Sequence, residues 1–264
     1  MYYSFSIFKI VFGEGAKMIK SLQNILVFIF LYIPPLIFFL KYSLRRNISK
    51  VLLFIISVLY IILAVYTQNI LPFILVLINI RYIKLNDTSN MYNKDSFYID
   101  ASKDYYRYNF SIKSFNLFKG LRYAAESYGA TIAVNIIITL LISLSRSNLK
   151  EQEIVRQLMN TSMNKFIYMI PIMVIFAPIV EEFTFRWLLF EKIFKPRIGI
   201  YFSAILSSIL FSLVHFNIRV FPVLITIGLI NCYLIEKKGY WYAVFNHLVF
   251  NMVSTVAMLL QKIS

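Results

Sequence analysis

Apolar runs and short polar breaks alternate along this chain on the scale of a bilayer. Apolar stretches cover residues 22–40, 51–66, 70–80 and 123–144. Four more fill the last third, at 165–195, 199–217, 220–236 and 240–260. A helix needs about 20 residues at a 1.5 Å rise to cross a hydrocarbon core. The breaks carry basic residues and helix punctuators. Lys41, Arg45, Arg46 and Lys50 follow the first run. Pro196-Arg197-Ile198-Gly199, Asn217-Ile218-Arg219 and Lys237-Lys238-Gly239 divide the last third. Pro34-Pro35 predicts a kink in the first span.

Residues 51–83 admit two readings: two short tilted spans, or one span with a re-entrant piece. The basic loop 41–50 and the basic segment 81–122 belong on the same, cytoplasmic side, which requires two crossings between them and favours a hairpin. With the basic breaks at 196–199 and 237–239 placed likewise, the count is about eight spans with both termini outside. The sequence therefore predicts an all-α, polytopic transmembrane bundle with a four-helix core in the C-terminal third. The expected division is 1–164, an N-terminal membrane region, and 165–264, the core. Residues 1–20 suit an interfacial helix, with Tyr2, Tyr3, Phe5 and Phe8 beside Lys9, Lys17 and Lys20. The polar, aromatic-rich segment 85–120 is a solvated connector or a membrane-edge element. No internal repeat suggests the inverted halves of a transporter.

Composition agrees. Hydrophobic residues make up 59% of the chain and charged residues 15%, against nearer half and a quarter in soluble domains. The net charge of +15 comes from loops between apolar runs and does not indicate nucleic-acid binding. The single cysteine, Cys232, excludes an intrachain disulfide. The first run is too long for a signal-peptide core and lacks a small-residue cleavage site, so an uncleaved first span is expected. The localisation this implies is multi-pass, in the cell membrane.

Against this background the polar residues inside spans stand out. The only two histidines, His215 and His247, lie in apolar runs, as does Glu181-Glu182-Phe183-Thr184-Phe185-Arg186. A charge at mid-helix costs roughly 2.5–3.5 kcal/mol on the insertion scale. Glu181 and His215 are equidistant from Ile198, so an antiparallel hairpin brings them to one depth, about 25 Å of helix from the turn. Glu182 and Arg186 are i,i+4 and can pair. His247 and Asn251 are i,i+4 and can face one cavity. Their depth matches that of Glu181 only if the 196–199 turn protrudes about 10 Å beyond the 237–239 turn. A carboxylate facing an imidazole can hold and deprotonate a water. A second histidine with an asparagine can donate to an oxyanion. These are the parts of a non-covalent peptide-bond hydrolysis. Phe211, one turn before His215, reads as packing.

Three motifs, Glu181-Glu182-x-x-x-Arg186, Phe211-x-x-x-His215 and His247-x-x-x-Asn251, resemble those of the CPBP family. These are the type II CAAX prenyl endopeptidases and the bacteriocin-processing or Abi proteins. Ala177-Pro178 before the first motif and Trp241-Tyr242-Ala243 before the third fit as well. The resemblance covers about residues 165–255. Trp187 stands where a glycine often follows the arginine, and Gly228 alone represents the glycines usual in the third core helix.

The resemblance implies a glutamic-type intramembrane endopeptidase. Glu181 and His215 would activate the water, and His247 and Asn251 would stabilise the oxyanion. Glu182, Arg186 and Phe211 would support them. No cofactor is implied. A His/His/Glu set can in principle bind zinc, but no H-E-x-x-H is present and asparagine is a poor zinc ligand. The implied partners are the lipid bilayer and a peptide or lipidated protein substrate. The Ile-, Lys- and Asn-rich composition fits a bacterial setting, where the family is associated with bacteriocin or signalling-peptide processing and with immunity. Two other readings stay open: a catalytically silent membrane scaffold or regulator, and a proton-coupled transporter, for which intramembrane ionisable residues are also a signature.

Overall fold

The computed structural model describes residues 22–67, 69–92, 110–144 and 159–264. The interfacial helix expected at 1–20, the middle of the aromatic-rich segment (93–109) and the loop 145–158 lie outside the described residues. Among the described residues all regular structure is helical. Eight helices follow one another: α1 (Leu22–Arg45), α2 (Lys50–Thr67), α3 (Ile70–Tyr92), α4 (Leu117–Leu144), α5 (163–198), α6 (199–213), α7 (Phe221–Lys237) and α8 (Tyr240–Ile263). Helix α5 runs into α6 at Gly199, whose φ of 75° only glycine adopts without strain.

The 51–83 stretch lies in two helices, α2 and α3, neither of which is long and apolar enough by itself to count as a crossing. Helix α3 continues to Tyr92 and α4 begins at Leu117, so both ends of the expected polar segment 85–120 are helical.

Among the described residues, four helical runs are long and apolar enough to cross a membrane. They are Leu22–Arg45, Leu117–Leu144, Met163–Leu213 and Tyr240–Ile263. The expected eight spans are therefore not all met by length and composition. Met163–Leu213 is two helices bent at Gly199, the apolar part of α2 is short, and α7 has 17 residues.

Prolines shape the long helices. π-helical turns occupy Phe28–Tyr32, Ile172–Phe176 and Glu182–Phe194. Each ends two residues before a proline: Pro34, Pro178 and Pro196. In each case the residue just before the proline donates five residues back: Ile33 to Phe28, Ala177 to Ile172, and Lys195 to Phe190. A proline ring clashes with the carbonyl four residues earlier, and a widened turn moves that carbonyl aside. The sequence predicts an uninterrupted α-helix at 165–195. The π turns replace it because Pro171, Pro178 and Pro196 punctuate that run.

The described residues form two compact units, one before Ile112 and one from Ile112 to Ser264. In the first, side chains reach carbonyls beside Pro34-Pro35. Asn79 donates to the Pro35 carbonyl (2.8 Å) and the Tyr60 hydroxyl to that of Tyr32 (2.9 Å).

In the second unit α5 and α6 form an antiparallel hairpin, α6 packs on α7, α7 on α8, and α4 lies against α7 and α8. Helix α6 buries Ser203, Ser207, Ser208 and Ser212 and turns Tyr201, Phe202 and Ile205 outward. Small polar residues inside and large apolar ones outside suit a helix surrounded by lipid. The close packing is concrete at Gly228, where a Cβ would stand 2.8 Å from that of Ser208.

Candidate active site

Glu181 ends a short α-helical stretch, Ala177–Glu181, and Glu182 opens the long π-helical one. Both carboxylates are buried and both reach His247 of α8. The imidazole lies between them. Its Nδ1 donates to Glu182 Oε1 at 2.7 Å, and its Nε2 stands 3.6 Å from Glu181 Oε2. The predicted pairing of Glu181 with His215 is therefore corrected: the imidazole beside Glu181 is that of His247. The equidistance rule itself holds one turn along, where the Phe185 and Phe211 rings meet at 5.4 Å. Depth was legible, whereas the direction of the Glu181 side chain depends on how α8 packs against α5.

The i,i+4 pair forms as predicted, with Arg186 Nε 3.3 Å from Glu182 Oε2 and both side chains fully buried. The contact is an ion pair, and no nitrogen of the guanidinium has a hydrogen-bond acceptor among the described residues. Its cation lies instead over the Phe211 ring, 4.1 Å from the centroid. A desolvated cation on an aromatic face is worth about 2 kcal/mol or more.

Phe211 does more than fill space. Its ring is edge-to-face with His215 (4.9 Å), His247 (5.5 Å) and Phe185 (5.4 Å). It separates the two imidazoles and fixes the tilt of each.

His215 follows the C-terminal end of α6, in the turn before α7. Its Nδ1 donates to the Phe211 carbonyl at 2.8 Å, which leaves Nε2 with its lone pair free to accept a proton. The next residue, Phe216, has a φ of 48°, unusual for a bulky side chain. Asn217 Oδ1 then accepts from the Arg219 and Val220 amides in the turn before α7.

Asn251 lies one turn beyond His247 on the same face of α8, as its spacing predicts. Its Nδ2 donates to the Met173 carbonyl at 2.9 Å. In the π register Met173 would be served by the amide of residue 178, which is a proline and has none. Asn251 supplies the missing donor and keeps one N–H free.

Residues that the sequence reading passed over complete the site. Asn231 Nδ2 of α7 donates to Glu182 Oε1 at 2.9 Å. Asn246 Nδ2 of α8 donates to Asn231 Oδ1 at 2.7 Å and to Ser127 Oγ of α4 at 3.1 Å. The Tyr240 hydroxyl donates to the Ile179 carbonyl at 2.8 Å, pinning the start of α8 to the turn that carries Glu181. Buried amides in apolar helices are a signal that could have found Asn231 and Asn246. Among the described residues, no three His, Cys, Asp or Glu side chains group as a metal ion would require.

The arrangement offers a buried carboxylate next to an imidazole, a second imidazole with a free basic nitrogen, and an amide with a spare donor. It can take a proton from water and stabilise an oxyanion. Residues 163–253 match the family model described as type II CAAX prenyl endopeptidase Rce1-like, the same family that the three motifs resemble. No curated protein and no solved structure matches the chain.

Proposed function

From the match of residues 163–253 to the Rce1-like family model, we propose that the chain is a membrane-embedded endopeptidase of the CAAX type. It hydrolyses a peptide bond with an activated water and without a metal. The observation that carries this reading is the placement of His247 between two buried carboxylates, next to the ring that also holds His215. Buried ionisable groups of this density are costly in a membrane protein and are expected where chemistry is done.

Glu181 takes one proton from the attacking water, and His215 Nε2 accepts a hydrogen bond from that water. The spare N–H of Asn251 and the Nε2–H of His247 in its doubly protonated form stabilise the oxyanion that forms as water adds to the carbonyl. Glu182 orients His247 through Nδ1, and Arg186 holds Glu182. The proton taken from water then passes to the leaving amine, so one group acts in turn as base and acid. The substrate is a small membrane-associated peptide or a lipidated protein, and the setting is a bacterial cell membrane, with peptide maturation or immunity as the role. All eight helices then cross or dip into that membrane, in two regions, 1–164 and 165–264, with the chemistry in the second.

The test uses the purified protein in liposomes with a fluorogenic peptide ending in a prenylated CAAX sequence and with an unprenylated apolar peptide. Cleavage of either, lost in Glu181→Ala, His215→Ala and His247→Ala, is the expected result. Cleavage by none of the proteins, with wild type correctly folded, favours the scaffold reading. Activity removed by chelators and restored by zinc contradicts the metal-free part.

A further inference from the structure

The hydrogen-bonded chain Ser127–Asn246–Asn231–Glu182–His247 crosses four helices, α4, α8, α7 and α5, before returning to α8. Every member is buried, Asn231 completely. The motif resemblance assigns no role to Ser127, Asn231 or Asn246, and Ser127 lies outside the residues matched by the family model. The direction of each bond is set by chemistry. A carboxylate accepts, so Asn231 presents its Nδ2 to Glu182. Asn231 Oδ1 must then find a donor, and Asn246 Nδ2 supplies it. Asn246 thus blocks the amide flip that would turn Asn231 Oδ1 against the carboxylate. Glu182 Oε1 receives Asn231 and His247 together, so displacing one moves the acceptor used by the other.

We propose that Asn231 and Asn246 are positioning residues that lock the Glu182 carboxylate, and through it hold the proton of His247 on Nδ1 with Nε2 directed at Glu181. The consequence for chemistry rests on the peptidase reading above; the lock itself does not. It gives α4, in a part of the chain that carries none of the motifs, a part in building the site. Helix α7 contributes too, though it holds none of the three motifs. A relay of amides suits this task because amides do not titrate, so its polarity stays fixed once both flips are set.

The chain has two histidines, so protein labelled with ¹⁵N-histidine gives only two imidazole systems, and His215→Gln assigns them. In wild type both should carry a proton on Nδ1, His247 facing Glu182 and His215 facing the Phe211 carbonyl. Asn231→Asp keeps the volume of the side chain but turns a carboxylate toward Glu182, and Asn246→Ala releases the flip. Both should change the His247 nitrogen signals and leave those of His215 in place. Ser127→Ala, at the far end, is a milder variant for use where either of the others fails to fold. It should produce a smaller change of the same kind. On a cleaved peptide, Asn231→Asp should lower kcat about ten- to a hundredfold with KM nearly unchanged. His247 signals identical to wild type in the folded variants overturn the proposal, whether or not cleavage falls. A wild-type protein that cleaves nothing removes the peptidase reading, while the nitrogen signals still decide the lock.

Discussion

Asn251 donates its side-chain amide to the Met173 carbonyl at 2.9 Å, and Pro178 is the reason that carbonyl is open. The third motif is thereby tied to the first by a backbone defect, independently of any substrate. Asn251 has a structural bond and one spare N–H, so its substitution should affect stability as well as rate.

That dual part gives the first prediction. Asn251→Ala should destabilise the protein by about 1–3 kcal/mol through the orphaned carbonyl. Pro178→Ala supplies an amide that can serve Met173, so the same change in that background should cost less, by about 1 kcal/mol. Unfolding in detergent across the double-mutant cycle measures the coupling. A coupling near zero contradicts the assignment.

The two adjacent glutamates should separate cleanly. Glu182→Ala leaves Arg186 buried without its counter-ion and strips His247 and Asn231 of their acceptor. A loss of about 3–5 kcal/mol is expected. Glu181→Gln removes a carboxylate that stands at 3.6 Å from one imidazole nitrogen and holds no other charge at that distance. Its melting temperature should stay near that of wild type. Thermal unfolding of the two variants side by side checks the contrast, and equal losses contradict it.

Arg186→Lys should not substitute for arginine. The guanidinium carbon stands over the Phe211 ring at 4.1 Å while its Nε lies 3.3 Å from Glu182 Oε2, and a point ammonium cannot do both. A drop of about 2 kcal/mol is expected, read as a lower melting temperature. Full retention of stability means that the ring contact contributes little.

The α6–α7 crossing offers a test away from the polar site. Gly228→Val places a Cβ 2.8 Å from that of Ser208 and 3.2 Å from its Cα, the second of which is backbone. Overpacking of this kind costs about 1–3 kcal/mol. Ser208→Gly in the same chain should return part of the loss, as measured by detergent unfolding.

The helical class and the breaks at Gly199 and Gly239 were legible in the sequence because period, length, charge and glycine act locally. So were the i,i+4 pairs: Glu182 with Arg186 is an intrahelical relation, and the common face of His247 and Asn251 needs only one turn of α8. The Glu181 partner was not legible. Helical rise ranked His215 and Glu181 at one depth, but which imidazole a side chain meets depends on the angle between helices and on a π turn starting at Glu182. That π turn had a signal in the sequence, since Pro196 follows its last residue by two, as Pro34 and Pro178 follow theirs. Asn246 was hidden by its neighbour His247, because adjacent residues on a helix point 100° apart and serve different partners. Ser127 could not have been found, since nothing local in α4 marks which of its polar residues meets α8.

Peptide cleavage by Glu181→Gln beside wild type, in liposomes and with folding verified on the same samples, is the most direct test of the central claim. A general base contributes about 10²–10⁴ in rate. Wild type should cleave the membrane-bound peptide, and Glu181→Gln should be slower by at least about a hundredfold with its fold intact. Cleavage by the variant at a rate close to that of wild type would contradict the account.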